Sequence, residues 1–163
     1  MAAALGYTRL QLGLHWAIAG LILGNYVLSD AMPGLFDRMI EAGAQGGSLA
    51  GGGLHVWIGL AVLVLVLVRL PVRLISGAPA APAGTPPLLD RAGRYGHLAL
   101  YVLMLLVPML GALAWFQGIE QLGDVHVLAM NALMLLALAH AGAAIYHQYV
   151  RRDGLLVRMM RAR

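Results

Sequence analysis

The sequence predicts an all-α protein, a transmembrane four-helix bundle with both termini in the cytoplasm. Of its 163 residues, 61% are hydrophobic and only 11% are charged, whereas soluble domains are about half apolar and about a quarter charged. The charged residues lie mainly between four long apolar stretches. Lipid must therefore solvate much of the exterior, and we expect one integral-membrane domain over residues 1–163.

Each apolar stretch is long enough to cross the hydrocarbon core of a membrane, which takes about 20 helical residues. The predicted helices cover about 8–29, 54–75, 93–117 and 124–150. Pro108 lies inside the third stretch, and because the apolar pattern resumes directly after it, we expect a kink there rather than a helix end. Four crossings place both termini on the same side of the membrane.

The three connections differ in composition. Residues 30–53 are acidic and rich in glycine, which predicts a flexible loop. Residues 76–90 contain four prolines, which is typical of an extended linker. The connection at 117–124 is so short that the third and fourth helices must be antiparallel neighbours.

The arginines indicate the orientation. All 11 basic residues are arginines, and ten flank the helix ends on the side of the termini: Arg9, Arg69, Arg73, Arg91, Arg94, Arg151, Arg152, Arg158, Arg161 and Arg163. Only Arg38 lies on the opposite side, among five acidic residues. The positive-inside rule then places both termini in the cytoplasm. The net charge of +4 therefore reflects membrane topology, and we expect no nucleic-acid partner.

The histidines are the candidate functional residues, because an ionisable group is costly to bury in a membrane. All of them lie within or at the edges of the apolar stretches: His15, His55, His97, His126, His140 and His147. His126 and His140 are 14 residues apart on the fourth helix, which places them within about 40° of the same face and about 21 Å apart along the axis. They must therefore belong to two different sites.

The topology supplies each of these histidines with a partner. His15 lies level with His140 near the cytoplasmic surface, and His55 lies level with His126 near the outer surface. One histidine from each of two helices at one depth is the arrangement that binds a haem iron from both faces. The pattern thus predicts two haem b groups, with His15 and His140 on one iron and His55 and His126 on the other.

Arg69 stands 14 residues after His55 and so faces similarly at the cytoplasmic level. It would pair with a haem propionate there. The alternative is an arginine whose side chain extends to the lipid headgroups.

Other interpretations of the histidines fit less well. Histidines that only hydrogen-bond between helices would not need matching depths. A zinc or copper site wants three or four donors at one depth, and the chain has no cysteine, which also excludes an iron–sulfur cluster. A haem-free membrane transporter would want buried carboxylates, yet all seven acidic residues lie in loops or at helix edges.

Two motifs near the ends of the chain resemble the bacterial cytochrome b561 family. They are Tyr7-Thr8-Arg9-Leu10-Gln11 followed by Leu14-His15-Trp16, and the stretch from His140 through His147 to Asp153-Gly154-Leu155-Leu156. The resemblance also includes His55 followed by Gly59, and it covers nearly the whole chain. It implies a multi-pass, di-haem cytochrome of the bacterial inner membrane that exchanges electrons with ubiquinone. It also implies His15, His55, His126 and His140 as the haem ligands.

The resemblance leaves the electron donor open. Some members are oxidoreductases that couple superoxide oxidation to ubiquinone reduction, but a superoxide pocket should be electropositive, and the outer side of this chain has only Arg38 among five acidic residues. The alternative is a cytochrome b subunit of a hydrogenase-type or dehydrogenase-type complex, which would have a redox protein as its partner. A homo-oligomer in the membrane lipid is compatible with either hypothesis.

The remaining histidines indicate where a quinone would bind. His147 follows His140 by seven residues, within about 20° of the same face and about 10 Å nearer the cytoplasm. Together with His97, Arg91 and Arg94 it would form a polar pocket beside the cytoplasmic haem. Histidine can supply both the hydrogen bond and the proton that a quinone needs. For the arginines, contact with lipid phosphates is the alternative.

Overall fold

The computed structural model describes residues 6–82 and 84–162. Within these residues it contains no strand and five α-helices, which are α1 (Arg9–Val27), α2 (Met32–Glu41), α3 (Gly53–Ser76), α4 (Pro87–Gln117) and α5 (Glu120–Tyr146). A π-helical turn over His147–Arg151 continues α5, and a short 3-10 turn covers Val157–Met159. The predicted all-α class is confirmed.

Four of these helices, α1, α3, α4 and α5, are long and apolar enough to cross a membrane. Many of their large apolar side chains point outward. Leu128 and Leu135 on α5, for example, are 71% and 72% exposed. Such a surface is stable only where lipid solvates it, so the chain is an integral membrane protein.

The helix α2 corrects the sequence-based expectation of a flexible loop over residues 30–53. It starts with Pro33 in its first turn, where a missing N–H costs nothing. The segment after it is fastened to α4, because the Trp115 indole donates to the Ser48 carbonyl at 2.9 Å and the Gly47 amide donates to the Trp115 carbonyl at 2.7 Å. Gly47 lies directly against the Trp115 ring, so a side chain would not fit there.

The other helix boundaries follow from local chemistry. Thr8 caps α1 in a reciprocal pair of hydrogen bonds with Gln11. The helix α4 continues through Pro108, as expected, and begins at Pro87 rather than at about 93. Proline is favoured at such a first position because its φ angle already suits a helix.

The bundle is built from neighbouring pairs, with α1 on α3, α3 on α4 and α4 on α5. One buried cluster contains Ile18, Val62 and Val66, and a second contains Val107, Ala129 and Leu133. Met104 of α4 packs against both clusters. This apolar middle layer separates two polar ends of the bundle.

We call these ends the terminal end, where α1 begins and α5 ends, and the α2 end. At the terminal end, the segment after α5 covers the proline-rich linker. Arg151 donates to the Gly84 carbonyl at 3.1 Å and Arg158 donates to the Ala80 carbonyl at 2.9 Å. Trp16 of α1 donates to the Met159 carbonyl at 3.0 Å. The C-terminal segment is thus part of the folded bundle.

Candidate functional site

The structure brings the predicted histidine partners together at both ends. The terminal-end pair is His15 of α1 and His140 of α5, whose ring centres are 6.4 Å apart. The α2-end pair is His55 of α3 and His126 of α5, whose ring centres are 6.0 Å apart. Because 14 residues of α5 separate His126 from His140, the two pairs lie about 21 Å apart along that helix.

Both separations suit one metal ion held between two imidazoles. An imidazole nitrogen binds a transition metal at about 2 Å, and its ring centre lies roughly 1 Å behind it, so two ligands on opposite sides of one ion have ring centres roughly 6 Å apart. The observed 6.4 and 6.0 Å fit this arrangement. Among the described residues, no group of three or more metal-ligating side chains converges. The donor set therefore suits a haem iron, whose other four ligands come from the porphyrin.

The ring of His126 is oriented as a ligand should be. Its Nδ1 lies 2.8 Å from the Val107 carbonyl, and since a carbonyl only accepts, Nδ1 carries the proton. Nε2 then keeps its lone pair for a metal, the usual arrangement for a metal-ligating histidine. Gly111, one turn after Val107, makes room for this contact, because a Cβ there would lie 2.9 Å from the His126 ring.

A cavity of about 320 Å³ opens beside the α2-end pair. Its wall includes both histidines, the small residues Gly59 and Gly111, and apolar side chains such as Met104 and Leu133. Such a lining suits a flat, largely apolar macrocycle. Asp37, Glu120 and Asp124 also line the cavity, so the α2 end is acidic.

Asn25 lies on the cavity wall next to His55 and was not singled out by the sequence analysis. Its amide nitrogen donates to the His55 carbonyl at 3.3 Å. The Oδ1 atom of Asn25 and the Nδ1 atom of His55 are both buried without a hydrogen-bond partner. A metal-ligating histidine usually donates from its second ring nitrogen to an acceptor, and Nδ1 of His55 makes no such bond.

Arg69 sits at the terminal-end pair, at the depth that the sequence predicted. Its guanidinium lies 3.2 Å from Nδ1 of His15 and donates to the Tyr101 hydroxyl at 3.0 Å and to the Gln11 carbonyl at 3.3 Å. Guanidinium only donates, so Nδ1 of His15 accepts. For His15 to bind a metal through Nε2, Arg69 has to release Nδ1 and turn to another acceptor.

His97 lies beside the terminal-end pair, with its ring centre 5.1 Å from that of His140. Its Nδ1 contacts the Gly93 carbonyl at 2.6 Å. Of the arginines expected beside it, Arg94 forms an ion pair with Asp90 at 2.5 Å, and Arg91 donates to the Pro87 carbonyl at 3.4 Å. Both arginines therefore have partners on their own helix, at the surface of the terminal end.

His147 occupies the π turn after α5 and has a partner that the sequence analysis missed. Its Nδ1 lies 2.5 Å from the Asp153 carboxylate, which also accepts from Arg151 at 3.3 Å. The next residue, Gln148, has a buried Oε1 atom without a hydrogen-bond partner. The sequence signals for Asp153 are its place in the C-terminal motif that carries the family resemblance and its isolation, since it is the one acidic residue after α5.

Comparisons with known proteins agree with this architecture. The family model described as prokaryotic cytochrome b561 matches residues 6–162. The chain is 52% identical over 160 residues to cytochrome b562 of Cereibacter sphaeroides, and the match covers 97% of each chain. It is 25% identical over 175 residues to the probable superoxide oxidase CybB of Yersinia pestis, covering 94% of this chain and 95% of that one. Cytochrome b561 homolog 2 of Escherichia coli is 24% identical, with 94% and 90% covered.

Proposed function

This chain belongs to the prokaryotic cytochrome b561 family, and from that premise we propose that it is a di-haem cytochrome exchanging electrons with ubiquinone in the bacterial inner membrane. Membership makes it a membrane electron-transfer protein that binds haem b. The number of haems, their ligands and the quinone partner are our proposal. The observation that carries it is the presence of two separate histidine pairs. In each pair the ring centres are at the separation expected for two imidazoles that bind one iron ion.

The four candidate ligands have distinct roles in this proposal. His15 and His140 hold one haem, and His55 and His126 hold the other. Val107 fixes the tautomer of His126, and Asn25 donates to the backbone carbonyl of His55. When bound, the haem irons supply the one-electron oxidation and reduction, while the protein supplies spacing and an apolar, low-dielectric surrounding.

Arg69 is the residue that we assign to a propionate at the terminal end. It has no carboxylate within ion-pair distance among the described residues, and a lone guanidinium between membrane helices needs an anion. A propionate would draw it from Nδ1 of His15 and leave that nitrogen free to carry a proton, as a ligating histidine requires.

The quinone site belongs at the terminal end, where His147 is the principal candidate. It is the histidine nearest to the water that must supply protons. The first turns of α4 at the same end contribute Arg91, Arg94 and His97. The orientation rests on the arginines: among the described residues nine flank this end, and the positive-inside rule then predicts that it faces the cytoplasm.

The α2 end gives no support to superoxide as the electron donor. One relative is named a probable superoxide oxidase, yet the cavity beside His55 and His126 is lined by Asp37, Glu120 and Asp124. Carboxylates repel a superoxide anion. A redox protein of a larger complex is the alternative donor, and it would copurify with the chain.

Haem content tests the proposal. The purified protein should bind two haems per chain in a pyridine haemochrome assay, with a six-coordinate, low-spin spectrum. His126→Ala should remove the haem at the α2 end and leave most of the other, because the pairs are about 21 Å apart on α5. A content of one haem per fully loaded wild-type chain would contradict the two-pair assignment, and loss of both haems in the variant would indicate a shared site or misfolding.

A further inference from the structure

The end of α5 is shaped so that the chain folds back over His147. The helix widens into the π turn His147–Arg151, and Arg152 then adopts a left-handed conformation with φ of 55°. A residue with a side chain rarely adopts this conformation. The Asp153 amide donates to the His147 carbonyl at 3.3 Å. The reversal thus places the Asp153 side chain on the His147 ring.

The two side chains form a shielded pair. Their exposed fractions are 15% for His147 and 10% for Asp153, although both lie beyond the end of α5. The carboxylate also accepts from the Leu155 amide at 3.2 Å and from Arg151 at 3.3 Å. Burial raises the pKa of Asp153, but the hydrogen bonds from His147 and Leu155 lower it more, so that the pKa lies below its ordinary value. Asp153 is therefore an ionised acceptor at neutral pH.

An ionised carboxylate determines which ring nitrogen of His147 carries the proton. It can only accept, so Nδ1 must donate to it. In the neutral ring the lone pair is then on Nε2, which can accept a proton, and in the protonated ring Nε2 can donate one. A buried aspartate on Nδ1 fixes a catalytic histidine in this way in serine proteases.

We propose that Asp153 is a positioning residue for the quinone site: it holds a proton on Nδ1 of His147 and keeps Nε2 as the atom that exchanges a proton with the quinone. This inference rests on the proposed quinone role of His147. Asp153 thereby joins the residues of the proposed quinone site, and the fold-back after α5 is what brings it to His147.

The proton balance of the step is simple. Reduction of one quinone to a quinol takes two electrons, delivered one at a time by the reduced cytochrome, and two protons. One proton passes from Nε2 of the protonated His147 ring to one quinone oxygen, and the other oxygen takes its proton from water at the terminal end. His147 regains the Nε2 proton from the same water, while the other ring proton stays on Nδ1, hydrogen-bonded to the Asp153 carboxylate, throughout. Quinol oxidation runs the same transfers in reverse.

Stopped-flow oxidation of the pre-reduced holoprotein by a short-chain ubiquinone tests the role. Asp153→Asn should slow the reaction about tenfold or more, because an amide can donate to Nδ1 and move the ring proton to Nε2. Asp153→Glu, which retains the carboxylate, should recover most of the rate. Glu41→Gln, which removes an acidic group at the other end of the bundle, should leave the rate unchanged.

A double variant separates positioning from simple stabilisation. If Asp153 acts only through His147, Asp153→Asn should have no further effect in a His147→Ala background. Fully multiplicative effects would overturn the inference, and so would a normal rate in Asp153→Asn when His147→Ala is slow. A normal rate in His147→Ala would instead overturn the proposed quinone role of that histidine.

The ring tautomer gives a readout that does not depend on turnover. Nitrogen-15 NMR of histidine-labelled, reduced wild-type protein should show the neutral His147 ring with its proton on Nδ1. A proton on Nε2 would overturn the inference, even if every Asp153 variant failed to fold.

Discussion

Gly111 controls how closely the backbone of α4 approaches the ring of His126. A Cβ at this position would lie 2.9 Å from Cε1 and Nδ1 of that ring, well inside van der Waals contact. The ring cannot simply retreat, because its Nδ1 donates to the Val107 carbonyl on the same face of α4. Replacing Gly111 with alanine, which adds a single methyl group, therefore tests whether His126 binds haem in the observed position.

We expect Gly111→Ala to lose most of the haem at the α2 end and to keep the other, so that haem content falls toward half. Gly142→Ala on α5 is the matched control, since nothing lies within 4 Å of its added Cβ. Alanine there should gain about 0.5–1 kcal/mol of helix stability. Full haem content in Gly111→Ala would show that His126 binds in another position.

The positive charge of Arg69 should raise the midpoint potential of the haem at the terminal end. A nearby cation favours the reduced form of an iron centre, since reduction removes one positive charge. We expect Arg69→Gln to lower the midpoint potential of that haem by on the order of 60 mV, a tenfold change in its equilibrium constant. Arg38→Gln removes the same charge at the α2 end and should leave this potential unchanged. An unaltered potential in Arg69→Gln would contradict the pairing of this arginine with the haem at the terminal end.

At the scale of elements, sequence periodicity and charge were enough to predict α1, α3, α4 and α5 and the partner of each of the four candidate ligands. Helix topology alone puts His15 level with His140 and His55 level with His126. The helix α2 was missed because its ten residues adjoin a glycine-rich segment that resembles a loop. The segment that follows α2 is held by a contact between Trp115 and Ser48, which are 67 residues apart in the chain.

The Asp153 contact could not be predicted either, because it depends on a π turn and on a left-handed Arg152. Neither feature has a sequence signal. A regular α-helix continuing through His147 would have carried the chain away from the bundle. The observed fold-back instead returns the chain to the bundle. Non-local contacts of this kind are decided by tertiary packing rather than by local propensity.

The C-terminal segment should loosen in acid. The folded-state pKa of Asp153 is lowered mainly by hydrogen bonds from His147 and Leu155, which outweigh the opposing effect of burial. A lowered pKa stabilises the fold above the unfolded value of about 4 and is lost as the pH falls through the lower folded value. The protection factors of the amides in residues 153–161 against hydrogen exchange should therefore fall below about pH 4 in the wild type. In Asp153→Asn these protection factors should be low already at pH 7, and equal protection of the two proteins at pH 7 would contradict this prediction.

At the scale of the whole molecule, α5 joins the two candidate sites rigidly. It supplies one histidine to each pair, and the apolar clusters around Val66 and Leu133 fill the layer between them. In the proposed function, electrons would cross this layer between the two candidate sites, and protons would be exchanged at the terminal end. His147, the candidate residue for proton exchange, and its partner Asp153 are both at that end.

The distribution of charge over the molecule predicts its orientation, which decides from which side of the membrane the protons come. Among the residues that the structure describes, nine arginines flank the terminal end and only Arg38 lies at the α2 end; the positive-inside rule then predicts a cytoplasmic terminal end. A green fluorescent protein fused after Arg163 should fluoresce, whereas alkaline phosphatase fused there should be inactive. Phosphatase fused after Gly46, downstream of α2, should be active because that segment would face the periplasm. The opposite pattern would move the proposed quinone site to the periplasmic side, and proton uptake by His147 would then have to come from the periplasm.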